Sequence, residues 1–175
     1  KWAQKEEMHC FLTIRLREGL KFCAASCIFM GLLFPKILEV NMALVVHKYG
    51  GTSMGSVERI QNVAQRVAKW VKAGHQVVVV PSAMSGETNR ILGLAKDINP
   101  EAAELCPREL DVIAATGEQV SVGLLSIALQ SIGQPAVSYA GWQVAVKTNN
   151  AYTKARIESI DDTRIRADLD AGRVV

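Results

Sequence analysis

Three short segments combine residue types that handle phosphate, carboxylate and ammonium groups. The first runs His47-Lys48-Tyr49-Gly50-Gly51-Thr52-Ser53. Lys48 supplies a cation, and two glycines without side chains let backbone N–H groups close on an anion. Thr52 and Ser53 add hydroxyl donors, so the set suits a polyphosphate. It is not a Walker loop, because Gly55 is followed by Ser56 and not by a lysine, and the chain has no GxGxxG. The second segment is Pro81-Ser82-Ala83-Met84-Ser85-Gly86-Glu87-Thr88, whose small hydroxyl residues can bind phosphate or a substrate carboxylate. The third, Thr116-Gly117-Glu118, offers a carboxylate that could hold a substrate ammonium. Each also has a plainer explanation: a Gly-Gly turn beside a solvated lysine, a turn capped by Thr88, and a glutamate favoured by a helix N-terminus. Taken singly, none of the three outweighs that explanation.

The elements around them follow from periodicity. Residues 43–49 predict a strand through Leu44, Val45 and Val46, and Ser56 predicts a helix cap. Val57, Ile60, Val63, Ala64, Val67 and Val71 then recur at helical spacing until Gly74. The four valines at 77–80 predict a central parallel strand buried on both faces. A short helix is expected through Leu94, then helices over 101–104 and 108–115, an interruption at Gly117, and a further helix over 119–132. Residues 136–139, 144–147 and 156–160 predict strands. Residues 161–171 predict a helix stopped by Gly172, and 173–175 open another strand. Strands alternating with helices define an α/β domain with a mostly parallel sheet. Such sheets bind ligands at the carboxyl ends of their strands, where the Lys48 and Ser82 loops fall.

Composition narrows the classes. A chain of 175 residues suits one ordinary domain, and 49% hydrophobic with 21% charged residues excludes a disordered or collagen-like chain. A formal charge of +3 is too balanced to argue for nucleic acid or an anionic membrane. Cys10, Cys23, Cys27 and Cys106 form no CxxC pair and no disulfide framework, which suits a reducing compartment. His9, His47 and His75 are scattered and suggest no zinc site.

The texture changes at Met42. Residues 22–34 form an apolar or small run of 13, short of the roughly 20 that span a bilayer. That run is either the core of a secretory signal, with Arg17 and Lys21 upstream, or adventitious sequence ahead of a start at Met42. The second reading is preferred, so residues 1–41 are expected to be an extension outside the fold. A strand of two valines at the far end leads to the expectation that the remainder is a fragment.

Taken together, Lys-Tyr-Gly-Gly-Thr-Ser at 48–53, Val-Val-Val-Val-Pro-Ser-Ala-Met-Ser at 77–85 and Ala-Thr-Gly-Glu at 115–118 resemble the N-terminal half of the aspartate kinases. Those enzymes are members of the amino-acid kinase family, and the resemblance runs over residues 42–175. It implies a three-layer αβα sandwich with a mostly parallel sheet, here cut short. It also implies transfer of the ATP γ-phosphoryl group to the β-carboxylate of L-aspartate, the opening step toward lysine, threonine and methionine. ATP would be the co-substrate with Mg2+ accompanying it, and the setting a cytoplasmic oligomer.

By the same resemblance Lys48 neutralises charge on the transferring group. Tyr49, Gly50, Gly51, Thr52 and Ser53 line the phosphates, and Ser82, Thr88 and Glu118 stand around nucleotide phosphate or aspartate. No residue is implied as a metal ligand. The acceptor carboxylate is already a nucleophile, so catalysis can rest on positioning and cationic stabilisation. The family's Arg-Gly-Gly-Ser-Asp run, adenine and ribose loops and regulatory ACT domains do not occur before Val175. The isolated polypeptide is therefore expected to have little or no kinase activity. Two alternatives remain: another amino-acid kinase, acting on acetylglutamate or a nucleotide, or a non-catalytic binding module that kept the phosphate loop. The Ser82–Ser85 and Thr116–Glu118 residues favour the aspartate branch.

Overall fold

The computed structural model describes residues 42–175, together with the backbone of one short strand, β1 (Leu12–Ile14). Strand β2 (Leu44–Tyr49) buries Val45, His47 and Tyr49, half-buries Leu44 and Val46, and exposes Lys48. A period of two is what a strand with one well-covered face requires. It sends Lys48 and Tyr49 to opposite faces although they are neighbours in the chain. Helix α1 (Val57–Lys72) follows, capped by Ser56, whose Oγ accepts from the Arg59 N–H at 3.3 Å. Strand β3 (Gln76–Pro81) then returns parallel to β2, with Lys48 opposite Val80 and Tyr49 opposite Pro81.

Ile60, Val63, Ala64 and Val67 of α1 pack with Tyr49 and Val77 in the core. On its other side β3 meets the last residues of the chain: the Val175 N–H donates to the Val77 carbonyl (3.2 Å) and the Val79 N–H to the Val175 carbonyl (2.7 Å). Val174 in turn bridges Ala136 in parallel. The valine strand is therefore central, but its burial on both faces holds only in part. Val77 is 1% exposed, whereas Val80, on the Lys48 face, is 50% exposed. The strand expected over 136–139 is reduced, among the described residues, to the parallel bridge between Ala136 and Val174.

Helices α2 (Glu87–Ile98), α3 (Ala102–Leu105) and α4 (Pro107–Ser131) come next. The predicted interruption at Gly117 does not occur: α4 is one continuous helix of 25 residues. A glycine inside a helix costs only about 1 kcal/mol relative to alanine. The burial of Leu125, Ala128 and Leu129 from the same helix exceeds that several-fold. By length and composition α4 could cross a bilayer, yet it packs along α1 and α2 and supplies the core. Strands β4 (Val146–Thr148) and β5 (Ile157–Ile160) form an antiparallel pair close to the expected segments. Helix α5 (Thr163–Asp170) ends before Gly172, which adopts φ 76° as a left-handed helix stop.

β1 runs antiparallel to β2, with Leu12 opposite Val46 and Ile14 opposite Leu44. The rest of residues 1–41, including the apolar run and Cys10, Cys23, Cys27 and His9, lies outside the described residues. Deleting residues 1–41 is expected to leave the thermal midpoint unchanged or higher. A large fall would make the Leu12–Ile14 pairing part of the core.

Candidate active site

The three chemical segments converge on Ala83, which is 3% exposed. The Ser82 N–H donates to the Tyr49 carbonyl at 2.8 Å, carrying the β2–β3 ladder one step further and laying the two loops side by side. The Ala83 N–H donates to Glu118 Oε1 at 3.1 Å, tying the second loop to α4. A Cβ on Gly51 would lie 3.3 Å from the Ala83 carbonyl oxygen, and one on Gly117 would lie 2.9 Å from the Ala83 methyl.

Within the first loop, successive turns place the Ser53 N–H on the Gly50 carbonyl (3.0 Å) and the Met54 N–H on the Gly51 carbonyl (3.2 Å). The fully buried Met54 pins these turns to the core. Arg59 Nη1 donates to the Thr52 carbonyl at 2.5 Å. Gly50, Gly51 and Ser53 are half-buried, and Thr52 and Lys48 are exposed. A flexible ammonium at a strand's carboxyl end beside such turns can reach an anion held over them.

Three expectations need adjustment. Tyr49 turns its ring into the core, with its hydroxyl 3.3 Å from His47 Nδ1, and burial pushes its pKa up. It meets the loop through its backbone carbonyl. Glu118 is not at a helix N-terminus but inside α4, so the Ala83 N–H, not the helix dipole, is what its carboxylate meets. Thr88 stands in the first turn of α2 but is not its cap, because the helix begins at Glu87 behind Gly86 at φ 81°.

Glu118 and Tyr139 both line a cavity of about 420 Å3, walled by Val78, Val80 and Ile157, and a second of about 490 Å3 reaching Gln119 and Trp142. These volumes suit small ligands. Tyr139 was not singled out from the sequence. The rule that placed Lys48 and Ser82 at strand carboxyl ends applies to it equally, as the last residue of the 136–139 segment. Its hydroxyl donates to Asp168, a buried residue whose carboxylate also accepts from Arg173 Nη1 at 2.5 Å. The Arg164 guanidinium lies 5.2 Å from the centre of the Tyr139 ring.

The hydroxyl bond from Tyr139, helped by Arg173, holds the Asp168 pKa below its ordinary 3.8, and the same bond raises Tyr139 above 10.0. A depressed carboxylate stabilises the fold above its ordinary pKa, and that contribution is lost as pH falls through the folded value. Asp168→Asn should therefore lower the thermal midpoint near pH 7. The gap between parent and variant should shrink as pH drops below 3.8. A gap independent of pH would assign the effect to packing alone.

A glycine-turn loop with a lysine, set at the carboxyl edge of parallel strands and tied to a carboxylate on a buried helix, defines an α/β domain suited to phosphate chemistry. The comparison with known proteins is more specific. Residues 43–175 match the amino acid kinase family, and the chain belongs to that family. It is 62% identical over 134 residues to an aspartokinase of Pseudomonas aeruginosa, covering 77% of this chain and 32% of that protein. It is 48% identical over 134 residues to aspartokinase 2 of Bacillus subtilis, with the same coverage. Among solved structures, an aspartate kinase from Synechocystis superposes with a TM-score of 0.62 at 44% identity, covering 76% of this chain and 21% of that one. The chain thus spans about a third of the length of the relatives it matches, less than the half that the motifs suggested.

Proposed function

We propose that this chain is the N-terminal part of an aspartate kinase, the ATP-dependent phosphotransferase that forms aspartyl phosphate on the route to lysine, threonine and methionine. The observation that carries the reading is the junction at Ser82 and Ala83, which ties a cationic glycine loop to the Glu118 carboxylate. A phosphoryl donor and an amino-acid acceptor need those two poles close together. The relatives named aspartokinase support the same assignment. The cytoplasm is the compartment proposed, with the thiol of Cys106 reduced and exposed.

In this reading a β-carboxylate oxygen of aspartate attacks the γ-phosphorus as the bond to the β,γ-bridging oxygen breaks, releasing ADP. The acceptor is already anionic, so no proton has to be removed. Lys48 balances charge on the phosphoryl oxygens, and the turns at 50–53 present N–H and hydroxyl donors. Glu118 receives the substrate ammonium. One carboxylate has room for about four hydrogen bonds, so its bond from Ala83 leaves capacity for that group. Magnesium would enter with the nucleotide. Among the described residues no group of three His, Cys, Asp or Glu side chains is placed to ligate it.

The test is a hybrid in which residues 42–175 replace the matching stretch of the Pseudomonas aeruginosa enzyme. Its ADP production should depend on L-aspartate, and hydroxylamine should trap the acyl phosphate. A folded hybrid that ignores aspartate but phosphorylates acetylglutamate would move the chain to another branch of the family. One that turns over neither would make it a binding module.

A further inference from the structure

Gly51 and Gly117 stand on either side of Ala83, one against its carbonyl oxygen and the other against its methyl. Neither glycine adopts a positive φ, so neither is present for left-handed backbone. Gly117 in particular lies inside a helix, where alanine would be better by about 1 kcal/mol. A methyl there would sit 2.9 Å from the Ala83 Cβ, well inside the roughly 3.5–4.0 Å at which carbon atoms pack best. At Gly117 there is no room for a methyl, and at Gly51 one would be tight.

The partners of Ala83 are themselves held firmly. α4 is a single helix anchored in the core by Leu125 and Leu129, and the first loop is pinned by Met54. The Ser82 N–H fixes the approach from the sheet side. A shift of Ala83 by a few tenths of an ångström would therefore disturb its bond to Glu118.

We infer that Ala83 is a positioning residue, seated in a socket formed by Gly51 and Gly117, that fixes the separation between the Lys48 loop and Glu118. The kinetic consequence rests on the aspartate kinase reading. The socket itself belongs to this chain and can be tested without activity.

The deciding variants are Gly117→Ala, Ala83→Gly and the two together. In the 175-residue chain, Gly117→Ala should lower protection of the Ala83 amide from hydrogen exchange by about tenfold, the worth of one net hydrogen bond. Adding Ala83→Gly removes the opposing methyl and should restore protection toward the parent. In the hybrid kinase, kcat/KM for aspartate, measured per folded molecule, should fall about ten- to a hundredfold in Gly117→Ala, as small misplacements of a site do. The double variant should recover most of that loss, and Ala83→Gly alone should cost less than Gly117→Ala. A merely structural Gly117 would lower the thermal midpoint and leave these kinetics unchanged. Parent-like kinetics and protection in a folded Gly117→Ala protein, or no recovery in the double variant, would overturn the inference. Should Gly117→Ala fail to fold, Gly51→Ala, with its milder 3.3 Å contact, is read for protection of the Ala83 amide and must lower it. A hybrid without aspartate kinase activity would remove the functional reading, while the exchange data would still decide the socket.

Discussion

Replacing Lys48 with alanine should lower the turnover of the hybrid kinase by at least about 10²–10³, the usual cost of losing one preorganised electrostatic donor. The cation stands at the carboxyl end of β2, on the face opposite Tyr49 and next to the turns of Gly50 and Gly51. During phosphoryl transfer, negative charge grows on the oxygens flanking phosphorus. A cation that reaches those oxygens acts more on kcat than on nucleotide binding. Lys48→Arg should recover little, because a planar fork presents its donors differently from a compact ammonium. Folding should survive both changes: Lys48 is exposed, and surface substitutions of this kind usually move stability by no more than about 0.5 kcal/mol. Near-normal turnover in well-folded Lys48→Ala would sink the phosphate-cradle reading of the loop.

Elements with strong local patterns were legible in the sequence. The period of α1, its Ser56 cap and the valine strand all follow from neighbouring residues alone. Alternation along β2 also carried information that the resemblance overrode. Val45, His47 and Tyr49 share a face, so the Tyr49 ring belongs with the core and not with a ligand. Gly117 was ambiguous for a physical reason. Glycine serves both where the chain must turn and where another atom must come close, and only the contact with Ala83 separates the two. The bonds that organise the site join residues far apart in sequence: Ala83 to Glu118, and Tyr139 to Asp168. No local pattern encodes such pairs. The strand over 136–139 is likewise non-local, since its one bridge is to Val174, far along the chain.

Glu118 accepts from the Ala83 N–H and is proposed to hold the substrate ammonium, and two substitutions separate these roles. Glutamine keeps a carbonyl oxygen that can still accept from the Ala83 N–H, so Glu118→Gln removes the charge and leaves the tie between loop and helix. If the carboxylate also holds the substrate ammonium, that loss should raise the aspartate KM roughly ten- to a hundredfold, since a charge-assisted hydrogen bond contributes about 1.5–3 kcal/mol. The KM for ATP should change far less, because the glutamine still supports the loop proposed to hold the phosphates. Alanine removes both functions. Glu118→Ala leaves a buried N–H without its acceptor, which typically costs about 1–3 kcal/mol. It should therefore lower the thermal midpoint and disturb both substrates, through Ala83 and the Lys48 loop beside it. The comparison turns on the glutamine variant. Equal losses for aspartate and ATP in Glu118→Gln would mean that Glu118 is a structural tie only, and that the substrate ammonium is held elsewhere.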